Sequence, residues 1–179
     1  MSHRLFIALR PPQTLRDALL DTMDGVDNAR WQDDDQLHLT LRYIGETETH
    51  QADDLAEALG NIRFEPFELR IAGTGIFERK GVPRTLWAGV EKSEPLVRLQ
   101  RRVERVCQSV GIEVEHRKFT PHVTLARLNT ASGPVAPWLA QHGQLALAPW
   151  TVQEFALFES ELHEEGSIYT PVIRYPAAA

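Results

Sequence analysis

The chain has 179 residues, of which 42% are hydrophobic and 25% charged, and its formal net charge is −6. This length and composition predict one folded domain with a sizeable core. The negative net charge argues against a protein that coats nucleic acid nonspecifically, because such binding needs many Lys and Arg contacts with phosphate. It is compatible with an enzyme that binds a single phosphate.

Cys107 is the only cysteine, which excludes an intramolecular disulfide and a cysteine-based zinc site. No apolar run approaches the roughly 20 residues that span a bilayer. The first ten residues lack the apolar core and the cleavage site of a signal peptide. We therefore expect a cytoplasmic protein without membrane contact.

The first half of the chain alternates between strand and helix patterns. In chain order, we predict a strand over 4–9, a helix over 14–23, a strand over 37–44, a helix from Thr47 or Thr49 to 59, and a strand over 67–76. The ends of these elements are marked by Pro11, Gly25, Gly45 and Gly60. Gly73 and Gly75 predict a bulge or a close approach of two backbones.

The second half begins with a turn at Gly81 and continues the mixture. The predicted elements are a strand over 85–90, a helix over 94–110 that Gly111 ends, a strand over 119–128, a short helix over 135–141, and strands over 150–158 and 168–175. Because hairpins and helices are mixed, we predict an α+β fold with antiparallel sheets. Each half carries a helix followed by a strand of similar sequence, which predicts two similar lobes within one domain over residues 1–179.

Two short motifs carry the chemistry. They are His38-Leu39-Thr40-Leu41 and His122-Val123-Thr124-Leu125. Side chains alternate between the two faces of a strand, so each motif should present an imidazole and a hydroxyl on one face and two apolar anchors on the other. From the residue composition, about 0.1 such tetrads are expected by chance, whereas the chain contains both of those above.

Paired histidines suit the hydrolysis of a cyclic phosphate. The reaction needs a base that takes a proton from water and an acid that protonates the departing ribose oxygen. Histidine can do either near neutral pH. The hydroxyls of Thr40 and Thr124 could donate hydrogen bonds to the non-bridging oxygens, where negative charge builds up. The two histidines are therefore predicted to flank one phosphorus atom.

Other chemistries fit the residues less well. Threonine is a poor zinc ligand, and only His116 is near enough in sequence to His122 to add a third imidazole. No metal or cofactor is expected. The chain has no G-x-S-x-G elbow and no phosphate-binding GxxxxGK[ST] loop. Cys107 lies in an apolar helical stripe and is interpreted as a structural or surface residue, not as a nucleophile.

The paired H-x-T-x tetrads resemble those of the 2H (two-histidine) phosphoesterase superfamily. One branch, the bacterial and archaeal RNA 2′,3′-cyclic phosphodiesterases (also called 2′-5′ RNA ligases), is similar over nearly the whole chain. The segments that carry this closer similarity are 4–9, 37–45, 119–127 and 169–174.

The resemblance implies two pseudo-symmetric lobes, each an antiparallel sheet backed by helices, with the active-site cleft between them. It implies hydrolysis of an RNA 2′,3′-cyclic phosphate to the 2′-phosphate, with His38 as the proton donor and His122 as the acceptor. The near symmetry of the motifs leaves the opposite assignment open. Thr40 and Thr124 would hold the phosphate, and some members also join RNA ends. RNA 3′ ends or nucleotides are the expected partners, and a monomer is the expected state.

Five further residues are candidates for the site. Arg127 follows the second tetrad as in the family, but strand alternation turns it away unless the strand bulges. Arg42 shares the predicted face of His38 and is a rival phosphate ligand. Three aromatic residues could stack on a base or pack in the core: Phe6, Tyr43 and Phe119. Two alternatives stay open: a nucleotide-binding module with little turnover, and a phosphodiesterase for another cyclic or 2′-5′ phosphodiester.

Overall fold

The computed structural model describes residues 1–179 as ten strands, four α-helices and one 3-10 turn. The strands are β1 (Ser2–Leu9), β2 (Arg30–Trp31), β3 (Leu39–Glu48), β4 (Phe67–Leu69), β5 (Ile71–Arg79), β6 (Val82–Val90), β7 (His122–Arg127), β8 (Trp150–Val152), β9 (Glu154–His163) and β10 (Gly166–Pro176). The helices are α1 (Gln13–Leu20), α2 (Thr49–Leu59), α3 (Glu94–Ser109) and α4 (Ala136–His142), and the 3-10 turn is Asp34–Gln36.

Eight strands form one antiparallel sheet in the order β10-β9-β1-β3-β7-β6-β5, with β2 added alongside β7. Strands β4 and β8 pair separately. The predicted α+β class with antiparallel sheets is confirmed. The two sides of the large sheet meet between β3 and β7, where a single register pair joins them.

Apart from β10 at one edge and β2 beside β7, the strand order is symmetric about the β3–β7 boundary. The chain passes through the same elements twice, first as β1-α1-β3-α2-β4-β5 and then as β6-α3-β7-α4-β8-β9. The last strand of each pass joins the sheet of the other pass: β5 pairs with β6, and β9 pairs with β1. Each lobe is therefore built from both halves of the chain, and each contains one tetrad.

All four helices contribute to one hydrophobic core on a single face of the large sheet. Their buried members in this core are Leu19, Leu55, Leu59, Leu96, Leu99, Val103, Cys107 and Trp138. The amphipathic stripe of α3 is the strongest sequence signal among them. Its ends are also explained by the sequence, since Ser93 accepts a hydrogen bond from the Leu96 backbone and Gly111 has a φ of +87°.

The opposite face of the sheet carries a second, smaller apolar cluster. It consists of Phe6, Ala8, Ala156 and Phe158, with Tyr169 packed against it. This face is not covered by helices, and both tetrads direct their polar side chains towards it. The sheet thus separates a helix-covered core from an open face on which the chemistry takes place.

Two predicted strands are wrong in extent because each is two strands. Residues 67–76 divide at Arg70 into β4 and β5, and residues 150–158 divide at Gln153 into β8 and β9. The predicted stop at Gly45 is also wrong. This residue has a φ of +88° but sits at an irregular register step opposite Leu5, and β3 continues to Glu48. No helix is long and apolar enough to cross a membrane.

Candidate active site

The two tetrads lie side by side in the middle of the large sheet. Their second residues, Leu39 and Val123, form the antiparallel register pair between β3 and β7 and are fully buried. Continuing that register by one residue each way sets each histidine opposite the threonine of the other tetrad. The four polar side chains that share the open face are His38, Thr40, His122 and Thr124.

Each tetrad ends in a bulge at its fourth residue. In β3, Thr40 and Arg42 pair with consecutive residues of β1, which leaves Leu41 as the extra residue. In β7, Leu125 is the extra residue in the same way. A one-residue bulge reverses the alternation of side chains beyond it. Strand alternation alone therefore does not predict which face of the sheet Arg42 and Ala126, the residues after the tetrads, are on.

The bulges decide between the two candidate arginines. Arg127 comes to the open face and lines the cleft beside Thr124. Arg42 is turned to the opposite face and buried, where its Nε donates to Glu104 Oε2 at 2.9 Å. The face assigned to Arg42 by strand alternation is wrong, because that assignment did not include the bulge. Arg42 is consequently removed from the candidate phosphate ligands.

His38 is enclosed by aromatic rings. Its ring centroid lies 4.5 Å from Phe158, 5.7 Å from Tyr169 and 5.9 Å from Phe6. Neither ring nitrogen has a hydrogen-bond partner within the chain. Burial lowers the pKa of His38 to about 4, with the nearby Gln36 backbone opposing the shift and Arg10 adding to it. The imidazole is therefore neutral at pH 7 in the free protein.

His122 is held differently. Its Nδ1 lies 2.6 Å from the backbone oxygen of Thr120. A carbonyl oxygen can only accept a hydrogen bond, so Nδ1 carries the proton, and Nε2 of the neutral ring is left as an acceptor. The ring packs at 4.8 Å from Phe77 and 6.3 Å from Trp87. Burial lowers the pKa of His122, the Thr120 carbonyl opposes this, and Arg127 adds to it.

A cleft of about 230 Å³ opens on this face of the sheet. Its walls include His38, both tetrad threonines and Arg127, while His122 lies beside it and is not part of the lining. Most of the remaining lining comes from the lobe that contains His38. These residues are Arg4, Phe6, Gln36, Tyr43, Ser160, Ser167 and Tyr169.

The family model of the 2′-5′ RNA ligase superfamily matches residues 8–164. The chain belongs to this superfamily. Among its relatives, an RNA 2′,3′-cyclic phosphodiesterase of Aeropyrum pernix is 35% identical over 82% of this chain and 85% of that protein. Another of the same name, from Thermus thermophilus, is 35% identical over 96% and 89% of the two chains.

Solved structures of two bacterial proteins have the same fold. The structure of TT0787 from Thermus thermophilus has a TM-score of 0.81 at 30% identity and covers 97% of both chains. E. coli LigT complexed with 3′-AMP has a TM-score of 0.80 over the whole of both chains, and its 24% identity supports the fold alone.

The three aromatic candidates have different positions in this superfamily fold. Tyr43 lines the cleft and is 49% exposed, so its ring is free to contact a ligand. Phe6 also reaches the cleft, but it is buried and stacked on Phe158 at 5.1 Å. Phe119 packs against the main core and does not line the cleft. Of the two roles predicted for Phe119, packing in the core fits this position and base stacking does not.

Several cleft residues were not predicted from the sequence. Gln36 is held in place from both sides: its Nε2 donates to the Ser167 carbonyl at 2.8 Å, and its Oε1 accepts from the Asp33 backbone at 3.1 Å. Among these residues, only Tyr169 could have been found from the sequence, because it is the first residue of segment 169–174, which resembles the phosphodiesterase branch. Polar residues such as Ser160 carry no pattern that distinguishes them from ordinary surface positions.

The chain contains no group of three or more His, Cys, Asp or Glu side chains placed to hold a metal ion. His116, considered above as a third imidazole, is exposed.

Cys107 is buried, and burial raises the pKa of its thiol to about 12, which makes it a very weak nucleophile at neutral pH.

Proposed function

We propose that this chain is a metal-independent phosphodiesterase that opens a 2′,3′-cyclic phosphate at the end of RNA and leaves a 2′-phosphate. The observation that carries the proposal is the pairing of the two His-x-Thr motifs on one open face through Leu39 and Val123. The names of the relatives from Aeropyrum pernix and Thermus thermophilus support this choice of substrate.

In the proposed reaction, His122 is the general base. Its Nε2, left free by the Thr120 hydrogen bond, takes a proton from water as the water oxygen bonds to phosphorus. The bond between phosphorus and the 3′ oxygen breaks on the opposite side, and His38 gives that oxygen a proton. Afterwards His122 releases its proton to solvent and His38 takes one up, which restores the starting states without a cofactor.

The position of the cleft supports His38 as the acid, and the low pKa of this residue requires that the bound substrate favour its imidazolium form. The cleft lies mainly on the His38 side, which is where the ribose and base of the leaving group need room. The pKa of about 4 in the free protein favours neutral His38, but a bound cyclic phosphate brings a negative charge that favours the imidazolium. Substrate binding would therefore supply the acid form where it is needed.

The other site residues have supporting roles in the proposal. Thr40 and Thr124 donate hydrogen bonds to the non-bridging phosphate oxygens, and the exposed Arg127 adds a positive charge at the same end of the cleft. Tyr43 is the candidate for stacking on the terminal base. Phe6 acts behind His38 as part of the apolar wall that lowers its pKa.

The deciding experiment is incubation of the protein with a nucleoside 2′,3′-cyclic phosphate in the presence of EDTA. We expect the 2′-monophosphate as the product. His38→Ala and His122→Ala should each reduce turnover by at least about a hundredfold, the usual contribution of general acid–base catalysis. His163→Ala, in an exposed hairpin, is the matched control. Normal turnover in either tetrad variant, or formation of the 3′-isomer, would contradict the proposal.

The same site could join RNA ends if a ribose hydroxyl replaced water as the nucleophile, and the name of the superfamily makes this the second candidate activity. We propose that the working unit is a single bilobal domain over residues 1–179 and a monomer, since one chain supplies both tetrads. A cytoplasmic location follows from RNA ends as the proposed substrate.

A further inference from the structure

The two lobes have matching positions next to the tetrad threonines, but these positions are filled differently. In the first lobe, Ala8 on β1 pairs with Thr40. In the second lobe, Trp87 on β6 pairs with Thr124. The equivalence includes the bulges, because β3 and β7 each advance by two residues there while their partners β1 and β6 advance by one. An alanine in one lobe thus occupies the place of a tryptophan in the other.

The next strand outward shows the same contrast. Trp87 pairs with Gly75, and a Cβ atom on Gly75 would clash with the six-membered ring of Trp87, so the indole lies directly over this glycine. The equivalent partner of Ala8 is Ala156. In the second lobe the indole fills the surface beside the tetrad, whereas in the first lobe two methyl groups leave it open.

The open surface in the first lobe is a trough of about 230 Å³ behind the His38 ring. Its lining includes Ala8, Ala156 and Phe158, and the Phe158 ring lies 4.5 Å from the His38 ring. The charged residues of the lining are Arg10, Arg16, Arg174 and Glu154. The trough is therefore a mainly cationic depression on the same sheet face as the proposed active site.

Arg174 is the cation of the trough that is most available to a ligand. Arg16 is engaged with Asp34 and the Pro11 carbonyl, and Arg10 faces Asp34 and Asp35 at 3.5 and 3.4 Å. Arg174 has only a 3.9 Å contact with Glu154, with both side chains more than half exposed. Such an exposed pair holds the guanidinium weakly.

Arg174 also lies in line with the proposed phosphate site. The register runs from Arg174 to Ala156, then to Ala8, and finally to Thr40. Three strand spacings separate the ends of this row, which places their Cα atoms about 14 Å apart. One nucleotide together with an extended arginine side chain can span that distance.

We propose that the trough binds the phosphodiester on the 5′ side of the terminal nucleotide, with Arg174 as its ligand. This inference rests on the proposed function, in which the ribose lies on the His38 side. The nucleotide chain must then continue from that side, where the surface is open and cationic. On the His122 side, from which water attacks the phosphate, no such room is needed. There Trp87 fills the position equivalent to Ala8. The trough would make the protein selective for RNA ends over free cyclic nucleotides.

The test compares three substrates: a nucleoside 2′,3′-cyclic phosphate, a dinucleotide that ends in the same group, and that dinucleotide with an uncharged methylphosphonate linkage. In the wild type, the charged dinucleotide should have the highest kcat/KM. Arg174→Ala should lower its kcat/KM by about tenfold, the value of a charge-assisted hydrogen bond, and should leave the other two substrates unchanged. Arg98→Ala, on the exposed side of α3, is the control and should change none of them.

Equal effects of Arg174→Ala on all three substrates, or no effect on any, would overturn the inference and leave the proposed function standing. Equal wild-type kcat/KM for the charged and uncharged dinucleotides would do the same. Absence of wild-type turnover on every substrate would instead overturn the proposed function, and the inference would fall with it.

Discussion

Leu39 and Val123 are joined in the one register pair that connects the two sides of the large sheet, and both are fully buried. Their neighbours on either side are the histidines and threonines of the two tetrads. The apolar pair thus fixes the relative position of four polar groups that come from distant parts of the chain.

The pH dependence of stability should reveal the buried His38. In the unfolded chain the imidazole binds a proton below about pH 6.5, but in the folded protein it does so only near pH 4. The unfolded state therefore binds more protons between these values, and stability falls as the pH is lowered through this window. The loss from His38 is at most about 3 kcal/mol.

Urea unfolding at several pH values between 4 and 7 measures this effect. His38→Gln, which cannot titrate, should be less sensitive to pH across this range, and His50→Gln at an exposed helix position is the control. An unchanged slope in His38→Gln would mean that the His38 ring is solvated in the native protein.

The pH–rate profile should be displaced towards acid. Burial lowers the pKa of both imidazoles in the free protein, to about 4 for His38. Because kcat/KM reports the free enzyme, its bell-shaped profile should have its maximum below pH 6.5. The kcat profile should lie at higher pH, since bound phosphate favours the imidazolium. A kcat/KM maximum above pH 7.5 would contradict the described environment of the rings.

Arg42 and Arg127 should respond in opposite ways to replacement by alanine. Arg42→Ala leaves Glu104 without its buried partner and should lower the free energy of unfolding by about 3–5 kcal/mol. Arg127→Ala should leave thermal unfolding unchanged and lower kcat/KM by about tenfold through the loss of a charge-assisted contact. A stable but inactive Arg42→Ala protein would restore Arg42 as a phosphate ligand.

Gly75 should be important for His122, although it does not contact substrate. Gly75→Ala forces the Trp87 ring away from β5, and this ring is 6.3 Å from His122. Such overpacking should cost about 1–3 kcal/mol of stability and should reduce kcat more than it raises KM. Gly25→Ala strains a glycine with a φ of +85° in open space, which makes it the control for a stability loss away from the site.

The sequence predicted the elements that contain periodic apolar residues and the faces of the tetrads, because both depend on short-range alternation. It could not predict the bulges at Leu41 and Leu125, which depend on pairing with a neighbouring strand. This explains why Arg42 was placed on the wrong face. The divisions at Arg70 and Gln153 were missed for a similar reason, since the chain moves there from one sheet to another without a break in its apolar pattern.

The lobes exchange their outer strands, so folding of each lobe depends on both halves of the chain. A chain cut in the turn between Arg79 and Val82 would yield two pieces, each with an outer strand whose partner lies in the other piece. Neither piece could complete its own sheet, so isolated fragments should remain unfolded and should regain structure only when mixed. The two imidazoles would then come together as a direct result of the two fragments folding on each other.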